Sequence, residues 1–299
     1  MVASNGALGP VFFGWRAGRF ELELTEPLVM GIVNVTPDSF SDGGRFVEAD
    51  AARRHCDQLL HEGAQLLDVG GESTRPGAAK PTVDEELARV LPVIRHAVTL
   101  GVPVSVDTSE PLVMQAALEA GADVVNDVRS LRRPGALAVL AAHASAGVCL
   151  MHMRGEPGSM DAEVDYDDVV AEVRDWLAAR LAEVVAAGIA AERVVFDPGI
   201  GFAKTREQDL MLLREQERLQ AAGRPLLAGW SRKRTLGMVT GRPVGERLAG
   251  SVAAALLAVE RGARIVRVHD VAATADALRL WIAARPTLPQ AGNLHASPP

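Results

Sequence analysis

Eight short apolar runs in this chain each end on polar or charged residues, a costly place for such groups unless they are paired or used. In chain order the run ends carry Asn34; Asp68, with Glu72 and Thr74 just beyond; Asp107; Asn126 with Asp127; His152; Asp197; Ser231 with Lys233; and Arg267 with His269. Two chemistries can be read from these residue types. Arg75, Lys233, Arg267 and His269 are cations or donors and Asn34 offers an amide oxygen. That set suits a phosphate or diphosphate accompanied by Mg2+, an ion that keeps several waters and takes few protein ligands. Asp107, Asn126 and Asp197 are acceptors suited to a heterocycle presenting several N–H donors, with Asp197 placed to pair with an amidine-like edge.

Each position taken singly has a plainer reading. Asp197-Pro198-Gly199 also reads as a turn or helix cap, and His152, between Met151 and Met153, reads better as a packed, hydrogen-bonded histidine than as a metal ligand. No His-x-x-x-His or His/Glu cluster supports zinc. The stretches Asn34–Gly44 and Gly70–Gly77 are rich in Gly, Pro and hydroxyls. They suit lids that exclude water from a reaction, or ordinary surface loops. Only Lys80, Lys204 and Lys233 are lysines among 31 basic residues, which singles out each of them mildly.

Positioning so many polar groups together requires a repeating scaffold. The β-rich runs are Leu28–Val33, Leu66–Val69, Val104–Val106, Val124–Val128, Val148–Met151, Val194–Phe196, Leu226–Ala228 and Ile265–Val268. Between them lie segments of helical period, including Ala49–His61, Asp84–Val98, Pro111–Ala120, Asp167–Ala187, Glu207–Ala222 and Arg247–Arg261. Glycines at 63, 101, 121, 188, 223 and 262 sit where a left-handed cap would end a helix and turn the chain back. Strict alternation implies a parallel sheet, and eight units allow it to close. The expectation is an α/β fold, a single (β/α)8 TIM barrel over residues 28–285, preferred to an open doubly wound sheet because no Gly-rich dinucleotide loop follows the first strand. Residues 1–27 form a lead-in, with a hairpin of Val11–Phe13 and Phe20–Leu24 closing the barrel bottom, and residues 286–299 a loose Pro-rich tail. Active sites of such barrels lie at the C-terminal strand ends, where the polar residues fall.

Composition agrees with this reading. With 299 residues, 48% hydrophobic and 23% charged, and 2 Cys, the chain is globular, not disordered, collagenous or disulfide-built. A net charge of -7 argues against a nucleic-acid partner. Cys56 and Cys149 lack metal-ligand spacing, residues 1–10 lack a signal-peptide pattern, and no apolar run approaches the roughly 18 to 20 residues of a membrane span. A cytoplasmic, reducing location without membrane attachment is expected.

Eight motifs carry a resemblance. M-G-I-V-N-V-T-P-D-S-F-S-D-G-G from Met30, G-G-E-S-T-R-P-G from Gly70, S-V-D-T from Ser105, V-N-D-V from Val125, L-M-H-M from Leu150, D-P-G-I-G-F-A-K-T from Asp197, G-W-S-R-K-R from Gly229 and R-V-H-D-V from Arg267 occur in this order. Over roughly residues 12–285 the chain resembles the dihydropteroate synthases, folate-pathway enzymes targeted by sulfonamides. The resemblance implies a barrel that joins 4-aminobenzoate to 6-hydroxymethyl-7,8-dihydropterin diphosphate, releasing diphosphate, with Mg2+ as cofactor and a homodimeric assembly. It implies a pterin held by Asp107, Asn126, Met151, Asp197 and Lys233. Diphosphate and Mg2+ would meet Asn34, Arg267 and His269. An aminobenzoate slot would be built by Phe40, Thr74, Arg75, Pro76, Phe202 and Arg234, with Asp42 near the reacting centre. An SN1-like course, driven by electrostatic preorganisation and without a side-chain nucleophile, fits such a site.

Three positions depart from the family pattern. Arg234 stands where Ser is common, Trp230 where smaller residues are frequent, and Asp209 where Asn often occurs. Arg234 could pair with the aminobenzoate carboxylate or fill its slot. The latter would make the chain a pterin-binding paralogue without synthase activity. A pterin-binding methyltransferase on the same barrel is the other rival, one that needs neither the Thr74-Arg75-Pro76 loop nor Ser231-Arg232-Lys233.

Overall fold

A computed structural model describes residues 14–35, 45–72, 80–156 and 158–285. Ten strands are present among them: β1 (Gly14–Ala17), β2 (Phe20–Glu23), β3 (Leu28–Asn34), β4 (Leu66–Gly70), β5 (Val104–Asp107), β6 (Val124–Asp127), β7 (Gly147–Met151), β8 (Val194–Asp197), β9 (Leu226–Ala228) and β10 (Ala263–Val268). The last eight form one closed parallel barrel in the order β10-β3-β4-β5-β6-β7-β8-β9. The helices between and after them are α1 (Arg45–His61), α2 (Val83–Ala97), α3 (Pro111–Glu119), α4 (Ala136–Ala142), α5 (Val169–Ala186), α6 (Arg206–Arg214), α7 (Arg234–Thr240), α8 (Leu248–Glu260) and α9 (Val271–Ala284). The expected (β/α)8 barrel is therefore the fold.

Local chemistry sets the helix ends. Thr82 with Glu85 caps α2 reciprocally, Thr205 with Gln208 does the same for α6, and Asp168 caps α5 through the Val170 and Ala171 amides. All six glycines expected to end helices have positive φ. One expected helix is split: after Arg214 the chain continues as a 3-10 segment, Gln216–Ala222. The buried Gln216 amide donates to the carbonyls of Ala258 and Arg261, a non-local tie that periodicity does not reveal.

The expected N-terminal hairpin is present, with its second strand inside Phe20–Leu24. Its strands are β1 and β2, pairing Trp15 with Leu22 and Ala17 with Phe20, while Val11–Phe13 lies outside the described residues. Gly18 makes the turn at φ +62, where a Cβ would fall 2.5 Å from Asp123 Oδ1. Arg19 then grips the same carboxylate, with Nη2 2.8 Å from Oδ2. Trp15, Ala17 and Leu24 pack with Met30, Leu66, Val124, Cys149, Val195, Leu227 and Ile265 into one apolar cluster. This plugs the N-terminal end of the barrel, as expected. Strand alternation then dictates what stands one layer higher: two residues on from these plug positions come Ile32, Asp68, Asn126, Met151, Asp197 and Arg267. The intervening residues, among them Val33, Leu67, Val125, Leu150, Phe196 and Val266, face the helices in the larger core cluster.

Candidate active site

The polar residues expected at the strand ends converge at the C-terminal mouth. Arg267 on β10 is central: Nε donates to Asp68 Oδ2 on β4 and Nη2 to Asp107 Oδ2 on β5, each at 2.5 Å. Asp68 Oδ2 also accepts from Asn126 Nδ2 on β6 at 3.1 Å. A carboxylate only accepts, so this bond fixes the Asn126 amide with nitrogen toward Asp68 and oxygen away from it. Burial works against the Arg267 charge, but Asp68 and Asp107 outweigh it and hold the guanidinium charged. Burial pushes the Asp107 carboxyl up, with Arg267 pulling the other way and Asp68 adding to the rise.

Asp197 ends β8. Its Oδ1 accepts the Gly199 amide at 2.7 Å and its carbonyl accepts the His152 amide at 2.9 Å, joining β8 to β7. The tight turn needs Gly199, since a Cβ there would lie 2.0 Å from the His152 carbonyl oxygen. Burial raises the Asp197 pKa, opposed by the Gly199 N–H and by Lys233, Arg267 and Lys204. Met151, buried at the end of β7, lines the same layer.

Lys233 precedes α7, and its Nζ stands 4.3 Å from the centre of the Phe202 ring. Burial lowers its pKa from 10.5 to about 8, partly offset by Asp197. Phe202 is itself held by Lys204, which is 3% exposed and donates to the carbonyls of Gly199 at 3.0 Å and Phe202 at 2.9 Å. The same ammonium meets His152 Nδ1 at 3.1 Å. Lysine rarity made Lys204 only mildly suspect, and its function as a loop staple follows from tertiary contacts alone. His269 is set by Ser231, whose hydroxyl is 3.0 Å from Nδ1 and accepts the His269 amide at 3.1 Å. Burial, then Arg267 and Arg232, bring the His269 pKa down to about 3, so the ring is neutral. Asn34 ends β3, beside Gly70 in register, and is partly exposed. Arg234 is exposed at the head of α7. Phe40, Asp42, Thr74, Arg75 and Pro76 lie outside the described residues.

The mouth thus brings together Asp107, Asn126, Met151, Asp197, Phe202, Lys233, Arg267 and His269. A family model described as pterin binding enzyme matches residues 30–269, the span from β3 to this histidine. The chain is 52% identical over 273 residues to a dihydropteroate synthase of Neisseria meningitidis serogroup B, covering 89% of this chain and 96% of that one. The chain belongs to the dihydropteroate synthase family. A synthase of this family from Xanthomonas albilineans, solved with 4-aminobenzoic acid, superposes with a TM-score of 0.86 at 51% identity over 92% of this chain and 99% of that one. Another from Burkholderia cenocepacia, complexed with 7,8-dihydropteroate, gives 0.82 at 50% identity over 90% and 95%. Membership makes the chain a transferase of folate biosynthesis and accounts for the order of all eight motifs.

Proposed function

We propose that the chain condenses 6-hydroxymethyl-7,8-dihydropterin diphosphate with 4-aminobenzoate to give 7,8-dihydropteroate and diphosphate. The observation that carries this reading is the convergence of three oriented acceptors, Asp107, the Asn126 oxygen and Asp197, beside Lys233 in a family member. Acceptors so fixed match the N–H-rich edge of a pterin, and Met151 supplies an apolar wall. Phe202 under Lys233 forms the border with the aminobenzoate slot, to which Thr74, Arg75, Pro76, Phe40 and Arg234 are assigned on the resemblance, with Asp42 near the reacting centre.

Asn34, Arg267 and His269 are assigned to the diphosphate. Among the described residues no three His, Cys, Asp or Glu gather as a metal cage. Asn34, partly exposed at the end of β3, would hold Mg2+ through its amide oxygen, an arrangement that fits an ion needing few protein ligands. Bound there, the ion would neutralise charge on the leaving group. Arg267, already charged and with Nη1 outside its two ion pairs, and the neutral His269 ring as a hydrogen-bonding group, are preorganised for the same task. The methylene–oxygen bond breaks with its electron pair leaving on the diphosphate, the dihydropterin methylene becomes cationic, and the aniline nitrogen attacks it to form the carbon–nitrogen bond and releases one proton to solvent. No thiolate competes as nucleophile: burial pushes Cys56 up to about 12 and Cys149 well above its usual value.

A cytoplasmic homodimer completes the proposal. Met238, Val239, Val244 and Leu248 expose apolar side chains around α7 and α8, a surface suited to a second copy. No helix among the described residues is long and apolar enough to cross a membrane.

The deciding experiment is diphosphate release from purified protein with dihydropterin diphosphate and Mg2+, with and without 4-aminobenzoate. Saturable release that requires aminobenzoate is expected. Pterin binding without such release would select the inactive paralogue and place the fault at Arg234.

A further inference from the structure

Lys233 is a half-buried ammonium whose nearest aromatic neighbour, Phe202, cannot neutralise it. Behind it, in the first turn of α6, Asp209 is 1% exposed. Asp209 Oδ1 accepts the Gly201 amide at 2.9 Å, and Oδ2 accepts the Thr235 hydroxyl in a short bond. These two contacts fall on the segments flanking the lysine. A Cβ at Gly201, where φ is +75, would lie 3.4 Å from Lys233 Cδ and 3.8 Å from Nζ. Thr235 is two residues on from Lys233 in the opening turn of α7.

A neutral side chain could make both hydrogen bonds, whereas a carboxylate at this depth carries a desolvation cost, visible in the raised pKa of Asp209. The cations around it give the charge a purpose: both Lys204 and Lys233 are held toward the ammonium form by Asp209. We infer that Asp209 is a positioning residue for Lys233, clamping Gly201 to the head of α7 so that the lysine runs between them, and adding a buried negative charge to those of Asp197 and Asp107 that favour its cationic form. This deepens the reading of Lys233 as a substrate-binding cation and rests on that reading only for the identity of the substrate.

Groups facing Lys233 come from every neighbouring element. Asp197 on β8, Asp107 on β5 and Asp209 on α6 favour its charge, and Arg267 on β10 opposes it. Lys204, in the loop after β8, and Lys233 disfavour each other's charge, and Lys233 also helps keep His269 neutral. Removing the Asp209 charge leaves burial and Arg267 opposed by two carboxylates instead of three, so Lys233 would lose its proton at lower pH.

Because the chain has only three lysines, their side-chain 15N resonances can be followed individually in full-length protein, with exposed Lys80 as the reference signal. In Asp209→Asn the Lys233 transition is expected to move acidward by at least half a pH unit. The alkaline limb of kcat/KM for dihydropterin diphosphate should move with it, giving about a twofold or larger loss at pH 8 and almost none at pH 6. Coincident Lys233 titrations in wild type and variant would overturn the electrostatic half of the inference. Thr235→Val keeps the carboxylate but releases the clamp. It is expected to raise KM for the pterin substrate about threefold to tenfold with the pH midpoint in place, and an unchanged KM would overturn the positional half. The resonance titration needs no turnover, so a shifted Lys233 in a protein that releases no diphosphate would count against the proposed function and not against the clamp.

Discussion

The two ends of the barrel are made from the same eight strands, a few residues apart, and they are opposites. At the N-terminal end Trp15, Ala17 and Leu24 close over seven inward apolar side chains, one from each of seven strands. At the mouth the next inward positions of these strands carry Asp68, Asn126, Asp197 and Arg267, all charged or amide groups that burial penalises. The difference teaches how a small strand divides its labour. The first inward residue buries apolar area worth about 1.5–3 kcal/mol per large side chain, and the second holds a polar group whose partners are in place before any ligand arrives.

The largest expected effect separates the two ends from below. Trp15 is 1% exposed, and its indole nitrogen donates to the Arg193 carbonyl at 2.9 Å. Trp15→Ala removes the plug and orphans that carbonyl, and should cost about 3–5 kcal/mol of stability. Urea denaturation would measure it, while kcat of the folded fraction at 20 °C should stay within about twofold. A tenfold fall in kcat without loss of stability would show that the bottom is not merely a foundation.

The reverse separation is expected at the mouth. Asp197→Ala leaves pterin donors without acceptors, a loss of about 1–3 kcal/mol for each of two groups, so affinity should fall on the order of a hundredfold. Stability should change by less than about 1 kcal/mol, because relief of a desolvated carboxylate offsets the lost Gly199 hydrogen bond. Calorimetric titration with 6-hydroxymethylpterin checks the first, and thermal melting the second. Unchanged affinity would remove Asp197 from the pterin pocket.

The same contrast explains what could be read from the sequence. The strands are legible because polar residues stand at or just beyond their C-terminal ends and six of the eight barrel strands follow a helical segment closed by a glycine, both local signals. Asp107, Asn126, Asp197 and Arg267 were legible as a set because strand parity alone sends them inward. The hairpin itself is legible, but that its first strand includes Gly14–Ala17 depends on Trp15 and Ala17 fitting the barrel end and on the Gly18 turn, which local propensity does not encode. The split of the helix at Arg214 depends on Gln216 reaching carbonyls more than forty residues away, at Ala258 and Arg261. Asp68 as the anchor of both Arg267 and Asn126, Lys204 as a staple, and the bond between Asp209 and Thr235 are likewise meetings of distant segments, which no spacing encodes.

The smallest effect concerns the border between the rigid wall and the reactive mouth. His152 is 2% exposed, lies edge-on to Trp176 with ring centroids 5.1 Å apart, and meets Lys204 through Nδ1. Burial, then Lys204, hold its pKa well below 6.5. With the folded-state pKa depressed, the unfolded chain binds the extra proton, so stability rises with pH and is lost as pH falls below about 6.5, by about 1.4 kcal/mol per pH unit for one such group. Buried carboxylates such as Asp127 and Asp209, whose pKa values are raised, act in the opposite direction. The wild-type slope alone is therefore uninformative, but these carboxylates cancel in the difference from His152→Asn, whose Oδ1 keeps an acceptor for Lys204 and does not titrate. Between pH 6 and pH 5 the variant should gain on wild type by about 1 kcal/mol in urea denaturation. Parallel curves would mean that His152 accepts a proton in the folded protein, and that the Lys204 staple yields to it.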